Sequence, residues 1–352
     1  MELLVLDKNI QSIDVVDTFE SLIWSDRFDE IGDFEIYMPI SASVVATLQS
    51  GHYLWNSDSD HVMIVEEIGI KTDIDEGNKL IVTGRSLESL LLRRIVWSQT
   101  VLENVSLQDG IERLLNENII NPTIAERKID NFVFKKSTDE RILNLTLNAQ
   151  YNGENLFDTI HALCTQNGIG FKITLDDTNR FVFELYAGAD RTYDQLDNPF
   201  VIFSPSYDNI LNSNYVESVT DYKNVALVAG EGEGTDRKTS TVGNVSGVER
   251  REMFVDASNI TSKTDEKTLT PEQYNEQLTQ KGTDELAVNG IKVAFDGEIE
   301  GTRMFKLGED FFIGDLVQVE NEYGHEGVAV VSEVIMSQNK EGIAMYPKFK
   351  MI

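Results

Sequence analysis

Short alternations of apolar and polar residues dominate the first hundred positions. Ile13, Val15 and, after a slip, Phe19 alternate with polar neighbours. Leu22 to Trp24 and Phe34 to Met38 follow, with Gly32-Asp33 as a turn between them. Pro39 stops the second strand, because proline has no amide to give to a ladder. Ser41 is placed to cap a short helix that buries Val44, Val45 and Leu48, and Ser50-Gly51 ends it. Val62 to Ile70 and Lys79 to Thr83 read as a hairpin, with Asp75, Glu76, Gly77 and Asn78 supplying the turn. Ser86 opens a short helix through Leu90 and Leu91. Strands with one or two short helices predict a small β-barrel or sandwich over residues 1–98.

The texture changes over residues 99–200. Ser106 and Asp109 form a capping pair for a helix that carries Leu107, Ile111, Leu114 and Leu115 on one face. A second helix presents Leu156, Phe157, Ile160, Leu163 and Cys164, and Asn167-Gly168 stops it. Phe171, Ile173 and Leu175 alternate, as do Phe181, Phe183 and Leu185, around a turn at Asp176 to Asn179. This region reads as an inserted α+β domain.

From residue 201 to 352 strands return, at Val201 to Phe203, Tyr215 to Val219 and Val225 to Ala229. Thr235 to Gly247 is polar and glycine-bearing, which predicts an exposed, mobile loop. Thr270 caps a helix with Pro271 at its first position and Gln273 closing a capping box. It runs to about Val288 and buries Tyr274 and Leu278, with Gly282 as its weak point. Four more strands are expected at Ile291 to Phe295, Gly297 to Lys306, Asp315 to Glu320 and Val328 to Met336. Gly314-Asp315 and Tyr323-Gly324 supply turns. Strands with one helix occur at both ends of the chain, so the architecture suits a duplication, although no sequence repeat is visible. A second barrel is expected over 201–352, with strands from about 201–220 available to complete the first.

The 352 residues suffice for two or three domains. Apolar content of 41% and charged content of 26% are ordinary for a globular chain. A net charge of -30 is not ordinary. Such a surface repels nucleic acid and anionic membranes, and it suits a wall past which DNA slides without sticking. MELLVLDKNI has no basic leader, and no apolar stretch approaches the roughly 20 residues a spanning helix needs. The expectation is synthesis in the cytoplasm with no membrane anchor. A single cysteine, Cys164, excludes an internal disulfide framework.

Candidate chemistry is thin. Val225 to Ala229 running into Gly230, Gly232 and Gly234 has the outline of a phosphate loop. Glu231 and Glu233 between the glycines would repel a phosphate, and no amphipathic helix or lysine follows in place. A sharp turn after a buried strand is the better reading. His52, His61, His161 and His325 are scattered without metal spacing. His161 and Cys164 are helix neighbours, but no activating third group accompanies them. Asp73, Asp75 and Gly77 imitate part of a calcium loop, with the glycine one position early and the distal glutamate absent. Asp58 and Asp60 sit in a Ser/Asp turn. Trp24, Arg27, Phe28, Gly32 and Phe34 could form a glycan platform or pack a core around a stacked arginine. Arg93-Arg94 and Arg250-Arg251 suit contacts with another acidic surface or pairs within the chain.

An ordered set of short motifs runs along nearly the whole chain. It comprises Ser21-Leu22-Ile23-Trp24, Arg27, Gly32-Asp33-Phe34-Glu35, Val65-Glu66-Glu67 and Val82 to Leu87. It continues with Gly188-Ala189-Asp190-Arg191, Asp208-Asn209 and Asp221 to Gly234. Arg250-Arg251-Glu252, Val255-Asp256, Gly314-Asp315 and Tyr323-Gly324 complete it. In these the chain resembles the tail-tip hub (tail-associated, Tal-like) proteins of siphophages, relatives of the baseplate hubs of contractile-tailed phages.

The resemblance implies an α+β, mainly β fold. It has two small tail-tube-like β-barrel domains, each with a helix, and an inserted α+β domain. It implies a homotrimer forming a pseudo-sixfold ring at the virion tail tip. The expected partners are a hexameric distal tail protein and tail tube, the tape-measure protein, and tip or fibre proteins. DNA would pass the channel without specific binding. No catalytic residue, cofactor or metal is expected. The candidate assembly residues are Trp24, Arg27, Asp190, Arg191, Tyr222, Lys223, Asn224, Arg250 and Arg251. Many such relatives carry long C-terminal extensions, so this chain would be a bare hub. A wall-active or glycan-binding tail protein is the competing reading, and the same hub in a contractile injection particle is a third.

Overall fold

The computed structural model describes residues 1–73, 77–263, 268–298 and 304–352. The first part of the chain forms β1 (Leu3–Leu6), β2 (Ser12–Val16), β3 (Ser21–Arg27), β4 (Asp33–Pro39), α1 (Ala42–Thr47), β5 (Tyr53–Asn56), β6 (Val62–Asp73), β7 (Gly77–Ser86) and α2 (Ser89–Leu92). Next come β8 (Thr100–Ser106), α3 (Leu107–Leu115), β9 (Phe132–Lys135), α4 (Glu140–Leu143), β10 (Thr146–Tyr151), α5 (Leu156–Asn167), β11 (Gly170–Leu175) and β12 (Phe181–Tyr186). The remainder holds β13 (Ile202–Phe203), β14 (Leu211–Ser218), β15 (Val225–Ala229), β16 (Thr239–Val242), β17 (Glu252–Asp256), α6 (Pro271–Val288), β18 (Lys292–Glu298), β19 (Leu316–Glu320), β20 (Glu326–Asn339) and β21 (Gly342–Met351).

The fold is mainly β, but neither of the two barrels expected from the sequence is seen as a closed sheet among the described residues. One 13-stranded sheet runs β14-β18-β21-β20-β3-β4-β7-β6-β5-β1-β2, with β19 beside β20 and β13 beside β19. The long β20 joins the halves. Glu326 to Val330 pair with β19, then Glu333 to Asn339 pair with β3, while β21 lines the other side. A register shift between Val331 and Glu333 marks the change of partner. The strands of 201–220 pair with β19 and β18 rather than with the first hundred residues.

Alternation explains the main core. Leu22, Trp24, Phe34, Ile36, Leu80, Val82, Val334 and Met336 all point to one face, and Phe203, Phe295, Phe311 and Phe349 pack with them. Each such side chain contributes about 1.5–3 kcal/mol on burial. Ile13 and Val15 also alternate, but they point outward, and only Val16 of β2 is buried.

Residues 87–200 build a second core around Leu107, Ile111, Leu114, Ile160, Phe171 and Phe183. Both predicted caps hold: Ser106 accepts from the Asp109 amide, and Gly168 ends α5 in the left-handed conformation. Three strands here, β8, β9 and β10, escaped the sequence reading. Ser86 closes β7 instead of opening α2.

Residues 219–291 form a third unit with its own core of Ala226, Val228, Val255, Tyr274 and Leu278. They leave and return between paired strands, since Ser218 faces Lys292. The stretch expected to be a mobile loop contains β16, which pairs antiparallel with β15, and β17 pairs parallel on the other side. The capping box of α6 forms as predicted. Gly282 is a packing contact: a Cβ there would lie 2.6 Å from methyl groups of both Val228 and Val242.

The turn residues Asp75 and Glu76, and with Asp75 the calcium-like triplet, lie outside the described residues. So do residues 299–303, half of the strand expected over Gly297 to Lys306. Gly297 belongs to β18, and Met304 to Lys306 are not strand. β21 was not foreseen.

Candidate functional site

Residues 170–186 meet the large sheet around the Phe28 ring. Phe28 follows β3, donates its amide to Ser332 O at 3.0 Å, and accepts from Phe171 N and the Tyr186 hydroxyl. Its ring meets Tyr186 edge-on at 5.3 Å. A Cβ on Gly170 would fall 2.4 Å from that ring, and one on Gly188 would fall 1.9 Å from Gly314 O. Backbones from the insert and from the approach to β19 therefore touch directly. Buried Asp315 fastens this contact, accepting from Ala189 N at 2.7 Å, Arg191 Nε at 2.6 Å and Phe312 N at 2.9 Å.

A cleft of about 840 Å³ opens beside this junction, and polar groups line its floor. Asp26 is buried and accepts from Trp24 Nε1 at 2.9 Å and Ser59 Oγ at 2.6 Å. Burial pushes its carboxyl up, against the pull of His61, Ser59 and Trp24. His61 Nδ1 lies 3.3 Å from Glu88 Oε1 in a fully buried ion pair. Burial disfavours the imidazolium, but Glu88 and Asp26 outweigh it and push the imidazole up to about 9. Burial likewise opposes the Glu88 carboxylate, and His61 more than reverses that, so its net shift is downward. Glu88 Oε1 also accepts from Ile173 N at 2.7 Å. A histidine held protonated at neutral pH cannot serve as a general base. The Ser59 hydroxyl gives its hydrogen bond to Asp26 rather than to the imidazole. The cluster therefore binds β3, α2 and β11 together instead of activating a nucleophile.

The nine candidate assembly residues separate into three places. Trp24 is fully buried against Phe34, with ring centroids 6.1 Å apart, so its ring is closed to a sugar. Arg27 bridges Asp33 at 2.7 Å and Glu333 at 2.8 Å, joining β3 to β4 and β20. Asp190 accepts from Thr192 N and Oγ1, and Arg191 is held by Asp315. Tyr222, Lys223, Asn224, Arg250 and Arg251 gather at the base of the 219–291 unit. The Arg251 guanidinium lies 5.9 Å from the Tyr222 ring centroid. Asn224 accepts from Arg251 N and donates to Glu249 O, and Lys223 N donates to Asn289 O. Arg250 pairs with Glu252.

The glycine loop holds no site for phosphate. Glu231 accepts from Lys238 Nζ at 2.6 Å and from Ser262 N and Oγ. Burial raises its carboxyl, but Lys238 and Ser262 more than offset this and bring it down to about 2. The Glu231 amide is taken by the Tyr274 hydroxyl at 2.8 Å. His161 Nδ1 bonds Asp29 O at 2.8 Å, and Cys164 is fully buried, with its thiol pushed well up by burial and then by Asp29. No group of metal-ligating side chains occurs among the described residues. No described helix is long and apolar enough to cross a membrane.

The Siphovirus ReqiPepy6 Gp37-like protein family matches residues 2–349. The chain belongs to this family. Among solved structures, the Gp37-like chain is similar to a prophage MuSo2 43 kDa tail protein from Shewanella oneidensis, at 11% identity and a TM-score of 0.58. That match covers 99% of this chain and 98% of the other. It is similar to the tail protein from Neisseria meningitidis MC58, at 13% identity and a TM-score of 0.55, covering 99% and 95%. Prophage tail protein gp18 from Listeria monocytogenes EGD-e matches at 11% identity and a TM-score of 0.53, covering 99% and 94%. At these identities the likeness is one of fold, and the fold is that of phage tail proteins. No curated protein matches.

The residues that hold this Gp37-like fold at its junction, Asp26, His61, Glu88 and Asp315, were not singled out from the sequence. Each finds its charged partner at least 27 residues away, so no local spacing announces it. His61 figured there only among scattered histidines, and Asp315 only within Gly314-Asp315, as a turn and as one of the ordered motifs.

Proposed function

We propose that the protein is a structural component of a phage or prophage tail, the hub at the tail tip. Three copies form a pseudo-sixfold ring that adapts a hexameric tail tube to trimeric tip parts and encloses the DNA channel. The two ends of the chain serve as the paired ring domains, and 99–200 is the insert. Its partners are the distal tail protein, tail tube, tape-measure protein, and tip or fibre proteins. The protein acts without catalysis.

One observation carries this reading beyond the family. The large sheet is open, and its outermost strands, β2 and β14, have no outer partner among the described residues. The two edges differ, and both carry exposed apolar side chains, Ile13 and Val15 on one and Val216 on the other. Unlike edges that meet between copies make a heterologous contact, which closes into a ring when the rotation fits. The acidic composition suits a ring through which DNA moves.

Light scattering on the purified chain tests the reading. The expected mass is three times the 39.7 kDa subunit, alone or on addition of the hexameric distal tail protein. A monomer under both conditions would remove the proposal.

A further inference from the structure

Three arginines stand together on this acidic chain. Arg93, Arg94 and Arg127 line a cleft of about 400 Å³ with Ile95, Trp97, Ile124 and one carboxylate, Glu126. The Arg127 guanidinium lies 4.9 Å from the Trp97 ring centroid, and its Nη2 donates to Ile95 O at 2.7 Å. Arg94 Nε donates to Arg127 O at 3.0 Å. Arg93 reaches Glu66 only at 3.6 Å, and that carboxylate already grips Arg85 at 2.6 Å. Among the described residues neither Arg94 nor Arg127 has a carboxylate partner. Burial, then repulsion from Arg93, lowers Arg94, and burial, then Arg94, lowers Arg127. Trp97 is 54% exposed. Three arginines against the one lining carboxylate, Glu126, leave the cleft net basic around an open indole, which suits an acidic segment with an apolar side chain.

The same chain presents such a segment elsewhere. Between β12 and β13, Leu196 is 92% exposed and flanked by exposed Asp194 and Asp197. Neither aspartate has an ion pair among the described residues. The loop is fixed from within. Gln195 Oε1 accepts from Asn198 N at 2.7 Å, and Gln195 Nε2 donates to Thr192 O and Asn198 O. Asn198 Nδ2 donates to Asp190 O at 3.0 Å. A prearranged loop loses little freedom on docking.

We propose that the Asp194–Asp197 loop of one copy docks in the arginine cleft of the next, with Leu196 on Trp97 and the two aspartates facing Arg94 and Arg127. The occupant is a second copy of this chain. The two surfaces differ, so each copy gives one and receives the other, as ring closure requires. This rests on the self-assembly proposed above and names one of its contacts.

Charge exchange tests it by light scattering at low and high salt, with R94E/R127E, D194R/D197R and the chain carrying all four changes. Asp194 and Asp197 are exposed, whereas Arg94 and Arg127 are half-buried and bond backbone carbonyls, so each variant is first required to keep an unchanged melting curve. Each reversed pair alone is expected to weaken association about tenfold or more, and the fourfold change to restore it. Ile95→Cys with Leu196→Cys is expected to cross-link copies on oxidation, since native Cys164 is buried. Association untouched by either reversal overturns this contact and leaves the ring standing. Loss with R94E/R127E but not with D194R/D197R assigns the cleft to another acidic surface of the next copy and overturns the Asp194–Asp197 loop as its occupant. A wild-type chain that stays monomeric even with the distal tail protein overturns both proposals.

Discussion

His61 lies at the centre of the junction, and its charge is a property of the fold. A free imidazole titrates near 6.5, whereas His61 is held up to about 9 by Glu88 and Asp26. The folded state therefore keeps a proton that the unfolded state releases first. The resulting stabilisation is whole below about pH 6.5 and is lost as pH rises through about 9. Denaturant midpoints measured from pH 6 to 10 should fall across that window. His61→Ala should flatten the slope and lower stability by about 3–5 kcal/mol, because Glu88 would remain buried without its counter-charge. A variant with an unchanged slope would show that the pair carries no proton linkage. None of this could be read from spacing. His61 is 27 residues from Glu88 and 35 from Asp26, and only tertiary pairing brings the three together.

At the scale of elements, α6 shows what local sequence can and cannot specify. Thr270, Pro271 and Gln273 announce its start because capping is a matter of neighbouring residues. Its docking partner is not local. Asp284 faces Tyr151 of β10, at 3.5 Å from its hydroxyl, and Gln280 Nε2 at 2.7 Å. Glu154, Asp158 and His161 line the adjoining cleft from the insert, and Lys281 and Glu285 from α6 itself. Burial first of all pushes the Asp284 carboxyl up to about 7. Docking of α6 is thus favoured while Asp284 is protonated and weakens as pH rises from about 4 to about 7. Protection factors of the 272–288 amides, corrected for the intrinsic rise of exchange with pH, should fall over that range, and Asp284→Asn should hold them constant. Protection insensitive to pH in the wild type would contradict the assignment.

Helices with caps and hairpins with turn residues were legible for the same reason as α6. The short β8, β9 and β10 were not, because their ladders join distant segments. Ile13 and Val15 show the limit of alternation, which gives the period of a strand but not the face that is buried.

For the whole molecule, sequence texture set 99–200 apart from the ends; in the structure residues 87–200 pack into one hydrophobic cluster together with Val62 and Ile64. Texture could not show that the ends share one sheet, because register between β3 and β20 is set across the full chain. Nor could it separate 219–291, which was folded into the expected second barrel. That unit enters and leaves beside the Ser218–Lys292 pair. Replacing 219–291 by a short turn should leave a folded protein with both larger cores intact. Circular dichroism and a cooperative melt would check this, and an aggregated or molten product would mean that α6 is needed to hold the insert.

The pairing of β3 with β20 also sets an order of events on the ribosome. Residues 21–27 wait for partners roughly 300 positions downstream, which at about 5–20 residues per second is tens of seconds of synthesis. Until then the edge of β3 is bare and the large sheet exists only in part. An interrupted chain that lacks β20 leaves the halves unjoined and β3 without one of its neighbours. Completion of the large sheet is thereby restricted to chains whose translation has passed residue 339.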